Sequence, residues 1–235
     1  MKIDVLADAA AVGRRAANEI ALRARAAIAA RGQFTLATSG GATPWAMLRE
    51  LAALDVSWAQ VHLFQVDERV APPGHPDRNL TKLTESLVAR VPIPASHVHA
   101  MAVEDPDLDA AAVRYAAALA SIAGHPPVLD LVHLGLGPDG HTASLVPGDP
   151  ALDVATADVA TTGVYQGRPR LTLTYPVLDR ARCVLWLVTG AEKVTMLARL
   201  RAGDRAIPAG RVCGDRALIL ADAAAAGSAP ERIGR

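Results

Sequence analysis

The stretch QFTLATSGGATPWAMLRELAAL, residues 33–54, contains the unit that decides the fold. Its apolar start predicts a strand over 33–39, and the apolar residues after Gly40 and Gly41 recur at helical spacing, which predicts a helix over 43–54. Thr43 suits the N-cap of that helix and Pro44 its first position. A strand that turns through glycines into a helix is typical of parallel α/β sheets.

The same alternation extends in both directions along the chain. Further strands are predicted over 61–68, 97–101, 128–136, 159–166, 170–176, 182–190 and 217–222, and further helices over 7–32, 79–90, 107–124 and 191–203. No helix separates 159–166 from 170–176, so these two could pair antiparallel at one side, whereas the apolar run 182–190 suits a central strand. The pattern predicts an α/β fold with a mainly parallel sheet.

Composition limits the classes of function. The 235 residues carry 24 basic and 24 acidic side chains, so nothing suggests a nucleic-acid-binding surface. Cys183 and Cys213 are too few for a disulfide framework or a zinc site, and a reducing compartment is expected. No signal peptide or membrane-spanning run is evident. We expect a soluble cytoplasmic protein, a monomer or a small homo-oligomer, without nucleic-acid or membrane partners.

Ligands of open α/β sheets bind at the carboxyl ends of the strands, so the loops there are the places to search. In the first loop, residues 38–44, Gly40 and Gly41 permit close approach to a ligand, and the helix N-terminus favours an anion. Ser39 and Thr43 add hydroxyl donors. The loop matches neither a Walker A motif nor GxGxxG, and an ordinary tight turn explains it equally well.

The second loop, residues 66–79, begins with Asp67, Glu68 and Arg69. The guanidinium of Arg69 could clamp a phosphate or an oxyanion, and Asp67 could orient another side chain. Taken alone, a solvated charge cluster at a strand end is the simpler interpretation.

The third loop, GLGPDGHTASLVP at 135–147, follows a buried run. His141 is a natural general base near neutral pH, and Asp139 could hold its tautomer. The alternative is a turn with a surface histidine. Ser144 does not lie in a GxSxG elbow, which favours water as the nucleophile.

The fourth region supplies cations. Arg168, Arg170 and Lys193 are candidate phosphate partners. Lys193 is expected in the first turn of a helix, where a cation opposes the dipole, so a bound anion would explain it better than a tolerated surface lysine. His133 is expected to be a core or sheet residue. His97 and His99 could share a strand face, but no third metal ligand is evident, and no metal site is predicted.

Five stretches together resemble one family. They are SGGATP (39–44), VDERVAPPGHPDRN (66–79), GLGPDGHTASLVPG (135–148), RLTLTYPVLDRA (170–181) and TGAEK (189–193). In this order they are similar to the glucosamine-6-phosphate isomerase/6-phosphogluconolactonase family, on its lactonase side. The resemblance implies one domain over 1–235, a Rossmann-like three-layer sandwich of the sugar-phosphate isomerase type, and no cofactor. It also implies hydrolysis of 6-phospho-D-glucono-1,5-lactone to 6-phospho-D-gluconate in the oxidative pentose phosphate pathway.

The same resemblance implies roles for residues. His141, with Asp139, would activate water, while Arg69 and either Arg170 or Lys193 would bind phosphate or stabilise developing charge. The other implied substrate-binding residues are Ser39, Gly40, Gly41, Ala42, Thr43, Asp67 and Gly137. The oxyanion donor would be Arg69 or a backbone N–H in 137–141.

Two other functions stay open. One is a glucosamine-6-phosphate deaminase-like aldose-ketose isomerase, in which Asp67 could be the base. The other is a non-catalytic sugar-phosphate sensor. A nicotinamide dehydrogenase is disfavoured because no GxGxxG follows a first strand.

Overall fold

The computed structural model describes residues 1–227. Its strands are β1 (Lys2–Leu6), β2 (Phe34–Thr38), β3 (Val61–Gln65), β4 (Asp67–Arg69), β5 (Val98–His99), β6 (Leu131–Gly135), β7 (Val159–Tyr165), β8 (Arg168–Leu173), β9 (Val184–Val188) and β10 (Ala217–Asp222). Seven of them form a parallel sheet in the order β1-β10-β9-β6-β2-β3-β5. The other three form a small antiparallel sheet in the order β4-β8-β7.

Helices cover both faces of the parallel sheet. They are α1 (Ala9–Arg31), α2 (Ala42–Ala52), α3 (Asn79–Ser86), α4 (Leu108–Ala123), α5 (Tyr175–Arg180), α6 (Val194–Arg201) and α7 (Pro208–Arg211). The first three enclose one apolar core with the sheet, and α4 to α7 enclose the other. This confirms the predicted three-layer α/β sandwich. Within residues 1–227, no helix is both long and apolar enough to cross a membrane.

The longest helix shows how local sequence sets the boundaries. The Asp8 side chain accepts a hydrogen bond from the N–H of Ala11, and Gly32 ends α1 with a φ of 77° while its N–H bonds to the carbonyl of Ile28. These are the side-chain N-cap and the left-handed glycine C-cap that helix ends favour. The predicted stop at Gly32 is confirmed.

The antiparallel pairing of 159–166 with 170–176 and the interior place of 182–190 are also confirmed. Two local predictions are wrong. The strand predicted over 61–68 is not continuous, because the chain leaves the parallel sheet after Gln65 and Asp67–Arg69 pairs with β8 instead. Val66 lies at the junction, since its N–H donates to Thr38 in the parallel sheet and its carbonyl accepts from Leu173 in the small sheet.

The second correction concerns the start of α2. Gly41, with a φ of 132°, is the N-cap, and the helix begins at Ala42. Thr43 therefore lies inside the first turn, where its hydroxyl bonds to the hydroxyl of Thr189 at 2.7 Å. Pro44 is the third helical residue, a position whose N–H has no partner within the helix. The N-cap position has a positive φ, which Gly41 adopts readily and a threonine would not.

Candidate active site

A cavity of about 240 Å³ opens at the carboxyl ends of β2 and β6, beside the small sheet. Its lining residues are Ser39, Gly40, Asp67, Arg69, Asn79, Gly135, Leu136, Gly137, Pro138, His141, Ala143, Gln166, Arg170 and Lys193. All four loops singled out in the sequence contribute to it. The volume suits a ligand the size of a sugar phosphate.

Eight of the predicted site residues line this cavity, namely Ser39, Gly40, Asp67, Arg69, Gly137, His141, Arg170 and Lys193. Gly41, Ala42 and Thr43 are not lining residues and lie where α2 begins. Asp139 does not line the cavity either, but it contacts His141 directly.

The Asp139 carboxylate orients the imidazole of His141. Its Oδ1 lies 2.5 Å from Nδ1 of His141 and also accepts the His141 backbone N–H at 3.1 Å. Burial raises the pKa of Asp139, but these bonds and the neighbouring charge outweigh it and leave that pKa below its ordinary value. An ionised Asp139 accepts a hydrogen bond from the N–H at Nδ1, so the proton stays on Nδ1 and Nε2 is left as the basic nitrogen. Nε2 has no hydrogen-bond partner within residues 1–227.

Glycine is required where the loop folds under this ring. A Cβ on Gly137 would lie 2.1 Å from Nδ1 of His141, so a larger residue would displace the imidazole. Backbone bonds from Gly137 to the His141 carbonyl, and from Gly140 to the Gly137 carbonyl, close the turn. The loop therefore presents His141 on a compact and rigid support.

The acidic residues of β4 are buried rather than solvated, contrary to the simpler interpretation of that cluster. Glu68 is fully buried and accepts hydrogen bonds from Gln65 and from the backbone N–H groups of Arg69, Asn79 and Leu80, the last two in the first turn of α3. Its Oε2 also lies 3.3 Å from Nε of the buried Arg78. Glu68 thus anchors both ends of the loop that carries Arg69 and Asn79.

Asp67 forms hydrogen bonds that orient other side chains, which is one of the roles predicted for it. Its Oδ2 accepts from the Ser144 hydroxyl at 2.6 Å, and its Oδ1 from the Asn79 amide at 3.2 Å. Burial raises the pKa of this carboxyl, opposed by the Ser144 hydrogen bond and by the charges of Arg69 and Arg170. Asn79 in turn faces Gly40, where a Cβ would meet its Oδ1 at 2.2 Å.

Arg170 is held by neutral acceptors. Its guanidinium donates to the Ser144 hydroxyl, the Tyr165 carbonyl and the Gln166 side chain at 3.5, 3.2 and 3.2 Å. Its Cζ also lies 4.9 Å from the centre of the Tyr165 ring. Burial lowers the pKa of Arg170, while the charge of Asp67 opposes the shift. The positive charge is therefore only partly balanced by protein groups.

The other two cations are less constrained. Nη1 of Arg69 donates to the Asp77 carbonyl at 3.2 Å, but its buried Nε has no partner in the structure. Lys193 is the N-cap residue of α6, directly before the first turn, and within residues 1–227 its side-chain ammonium forms no hydrogen bond or ion pair. Among the described residues, three cations and one acidic residue, Asp67, line the cavity, so the site attracts anions.

Two other sequence candidates, Arg168 and His133, lie elsewhere. Arg168 forms an ion pair with Asp77 and is not a lining residue. His133 is buried as expected, but only its Nδ1 has a partner, the N–H of Ser39 at 3.2 Å.

His97 and His99 do come together, with His62 as an unforeseen neighbour. The His62 ring stacks on His97 at 4.0 Å, and His62 and His99 share a hydrogen bond of 3.1 Å. Within the described residues, no group of three or more such side chains is arranged to hold a metal ion.

Sequence reasoning missed Asn79, Tyr165 and Gln166. Asn79 ends the quoted motif 66–79, but only the fold shows that it faces Gly40 across the cavity. A weak signal did exist for the other two, because Gly167 lies between two predicted strands and glycine is common in two-residue hairpin turns. The residues on either side of such a turn lie at the ends of the two paired strands, where their side chains can reach beyond the sheet.

Known proteins are similar to this chain along most of its length. A family model described as glucosamine-6-phosphate isomerases/6-phosphogluconolactonase matches residues 7–220. A 6-phosphogluconolactonase of Synechocystis sp. is 42% identical over 209 residues, which is 86% of each chain. One of Mycobacterium tuberculosis is 39% identical over 235 residues, or 94% of each chain. The crystal structure of the Thermotoga maritima 6-phosphogluconolactonase superposes with a TM-score of 0.84 at 27% identity, covering 94% of this chain and 98% of that one.

Proposed function

The chain belongs to the glucosamine-6-phosphate isomerase/6-phosphogluconolactonase family, and we propose that it hydrolyses 6-phospho-D-glucono-1,5-lactone to 6-phospho-D-gluconate with His141 as the general base. This is the lactonase step of the oxidative pentose phosphate pathway. The observation that carries the proposal is the ionised Asp139 bonded to His141 at 2.5 Å, with the ring in a cavity lined by three cations.

The chemistry requires little beyond a base and a positive environment. Nε2 of His141 takes a proton from water as the water oxygen bonds to C1 of the lactone. A tetrahedral oxyanion forms, the bond between C1 and the ring oxygen breaks, and the proton on Nε2 passes to that oxygen. The hydrogen bond to Asp139 keeps the proton on Nδ1 throughout. The ring therefore stays in the tautomer that the first step needs.

In this proposal Lys193 binds the phosphate together with the Ser39–Gly40 loop. Two observations support the assignment. The ammonium group of Lys193 has no protein partner within residues 1–227, and the hydrogen bond between Thr43 and Thr189 joins the first turn of α2 to the segment before Lys193. Gly41, Ala42 and Thr43 then support the loop, since they are not lining residues. Binding the remote phosphate positions C1 against the attacking water.

Arg69 is the proposed oxyanion donor. The alternative was a backbone N–H between 137 and 141, but those of Gly137, Gly140 and His141 already donate within the loop, and Pro138 has none. Of these, the N–H of Asp139 alone is left without a partner in the described structure. Arg69 lines the cavity as well, and a cation stabilises an oxyanion more strongly than a neutral amide does.

The first test compares wild type with His141→Asn on lactone generated in situ, with the spontaneous rate subtracted. Asparagine can keep the contact with Asp139 but has no counterpart of Nε2. We expect the variant to lose about 10²- to 10⁴-fold in kcat. His97→Asn is the matched control, because His97 lies outside the cavity, and it should retain activity.

Equal rates for wild type and His141→Asn would remove His141 as the base. No acceleration by wild type would contradict the lactonase assignment. Ammonia release from glucosamine 6-phosphate would then be measured, with Asp67 as the candidate base.

The remaining proposals concern the domain organisation and the cellular compartment. The predicted single domain covers residues 1–235, of which 228–235 lie outside the described residues. Over residues 1–227 both sheets contribute to one cavity, which supports one functional domain. A phosphorylated substrate does not cross a lipid bilayer unaided, because burying its charge in hydrocarbon is too costly, so we place the reaction in the cytoplasm.

A further inference from the structure

The hairpin between β7 and β8 is built so that one aromatic side chain has a fixed position. Tyr165 pairs with Arg168, and the two residues between them, Gln166 and Gly167, have φ values of 52° and 79°. Left-handed conformations at both central positions are those of a type I′ turn, which matches the twist of paired strands. The backbone of Tyr165 is therefore held at the edge of the cavity.

Tyr165 contacts both the Asp139–His141 pair and the cation Arg170. Its hydroxyl donates to Oδ2 of Asp139 at 3.1 Å, and its ring meets the His141 ring edge-on, with the centroids 5.3 Å apart. On the other side, Arg170 lies over its ring and donates to its carbonyl. Among the described residues, Tyr165 is the one that hydrogen-bonds to both Asp139 and Arg170.

We propose that Tyr165 is a positioning residue, which holds the Asp139–His141 pair in its working orientation and couples that pair to Arg170. The inference rests on the proposed lactonase function with His141 as the base. It adds a residue that does not itself line the cavity and acts on the reaction through its neighbours.

The hydrogen bonds give the physical reason. Oδ1 of Asp139 serves His141 and Oδ2 serves Tyr165, so the carboxylate cannot rotate without losing a partner. Burial and the charge of Asp139 raise the pKa of Tyr165, so the hydroxyl stays protonated and remains a donor. Its bond also draws negative charge away from Oδ1. Without it, Asp139 would keep more negative charge on Oδ1 and would stabilise the imidazolium more strongly.

The test is the pair Tyr165→Phe and Tyr165→Leu, assayed for kcat and KM from pH 5 to 7.5. Tyr165→Phe removes the hydroxyl and keeps the ring over Arg170. We expect a fall of about tenfold in kcat, from the loss of a hydrogen bond to a charged group, with KM little changed. The acid limb of kcat/KM should also move to higher pH. Tyr165→Leu should raise KM as well, because Arg170 loses its stacking partner.

Two comparisons separate positioning from general damage. Tyr175→Phe is the matched control, since that hydroxyl donates to the Pro208 carbonyl outside the cavity, and it should behave as wild type. In an Asp139→Asn background, Tyr165→Phe should cause little further loss of kcat, because its partner has already changed. Arg69, Arg170, Lys193 and Asp67 line the same cavity and are unaltered by Tyr165→Phe, so a shifted limb reports the lost hydroxyl.

The outcomes are distinct. If wild type fails to accelerate hydrolysis, the lactonase function falls and this inference falls with it. If wild type is active and Tyr165→Phe matches it in kcat and pH profile, the inference alone is overturned. A lower kcat with an unmoved acid limb and full additivity with Asp139→Asn would also overturn it, because that pattern marks a merely structural role.

Discussion

Replacing Glu68 with glutamine tests whether the loop that carries Arg69 and Asn79 depends on one buried anion. Oε1 of Glu68 accepts from two backbone N–H groups, and Oε2 accepts from Gln65 and Leu80 and lies 3.3 Å from Nε of Arg78. A glutamine would direct its NH₂ group at donors in either orientation. It would also leave Arg78, which is 2% exposed, without its buried partner.

The magnitude follows from that burial. Breaking a buried ion pair by removing one partner costs about 3–5 kcal/mol. Arg78 keeps its bonds to Glu104 and to the Ala71 carbonyl, so we expect the lower end, about 3 kcal/mol. For a chain of this length, about 1 kcal/mol shifts Tm by about 2–4 °C, and the expected fall in Tm is about 6–12 °C.

The assay is reversible thermal unfolding followed by circular dichroism. Glu85→Gln is the matched control, because Glu85 is 57% exposed and its ion pair with Lys82 is worth at most about 0.5 kcal/mol. A Tm of Glu68→Gln within about 2 °C of wild type would refute the reasoning, since the buried carboxylate would then contribute no more than a surface one.

The other predictions concern charge and pH. Lys193→Met should raise KM about 10- to 100-fold with a smaller effect on kcat, through loss of a charged phosphate contact, whereas Arg69→Ala should lower kcat by about 10²–10³. Steady-state kinetics with the spontaneous rate subtracted would measure both, and the reverse pattern would exchange the two roles. Burial lowers the pKa of His133 to about 3, so below about pH 6.5 the unfolded chain binds a proton that the folded chain excludes. Stability should therefore fall by about 1.4 kcal/mol per pH unit from this residue as pH drops towards 4, and urea unfolding of His133→Asn should show a shallower fall than wild type.

Periodicity and the glycine signals were sufficient to predict the layers of the fold, because most strands and helices carry the pattern of the element they form. The short strand Lys2–Leu6 was not predicted, since it lies at the sheet edge and only part of it is apolar. The break at Val66 was not predicted either, because residues 61–68 contain no glycine or proline that would mark it. Pairing with β8 interrupts the strand, and that partner lies about a hundred residues further along the chain.

For the site, the sequence indicated groups that lie in recognisable loops, such as His141 and Arg69. It did not reveal the burial of Glu68, because acidic residues are rarely buried and two of the four hydrogen bonds that satisfy this one come from Asn79 and Leu80, more than ten positions further along the chain. Tyr165 reaches Asp139 across 26 positions, and a contact of that kind has no local pattern. Roles that depend on long-range contacts therefore became visible only once the chain was folded.

Val66 has a consequence for kinetics. Its N–H is hydrogen-bonded to a strand of the large sheet, and its carbonyl is hydrogen-bonded to a strand of the small sheet. This single residue therefore connects the two sheets. A swinging motion of Asp67 and Arg69 away from Ser39 and Gly137 would have to break one of those bonds. We therefore expect Asp67 and Arg69 to meet the substrate in a fixed position, so that association kinetics show no slow phase from closure of this strand.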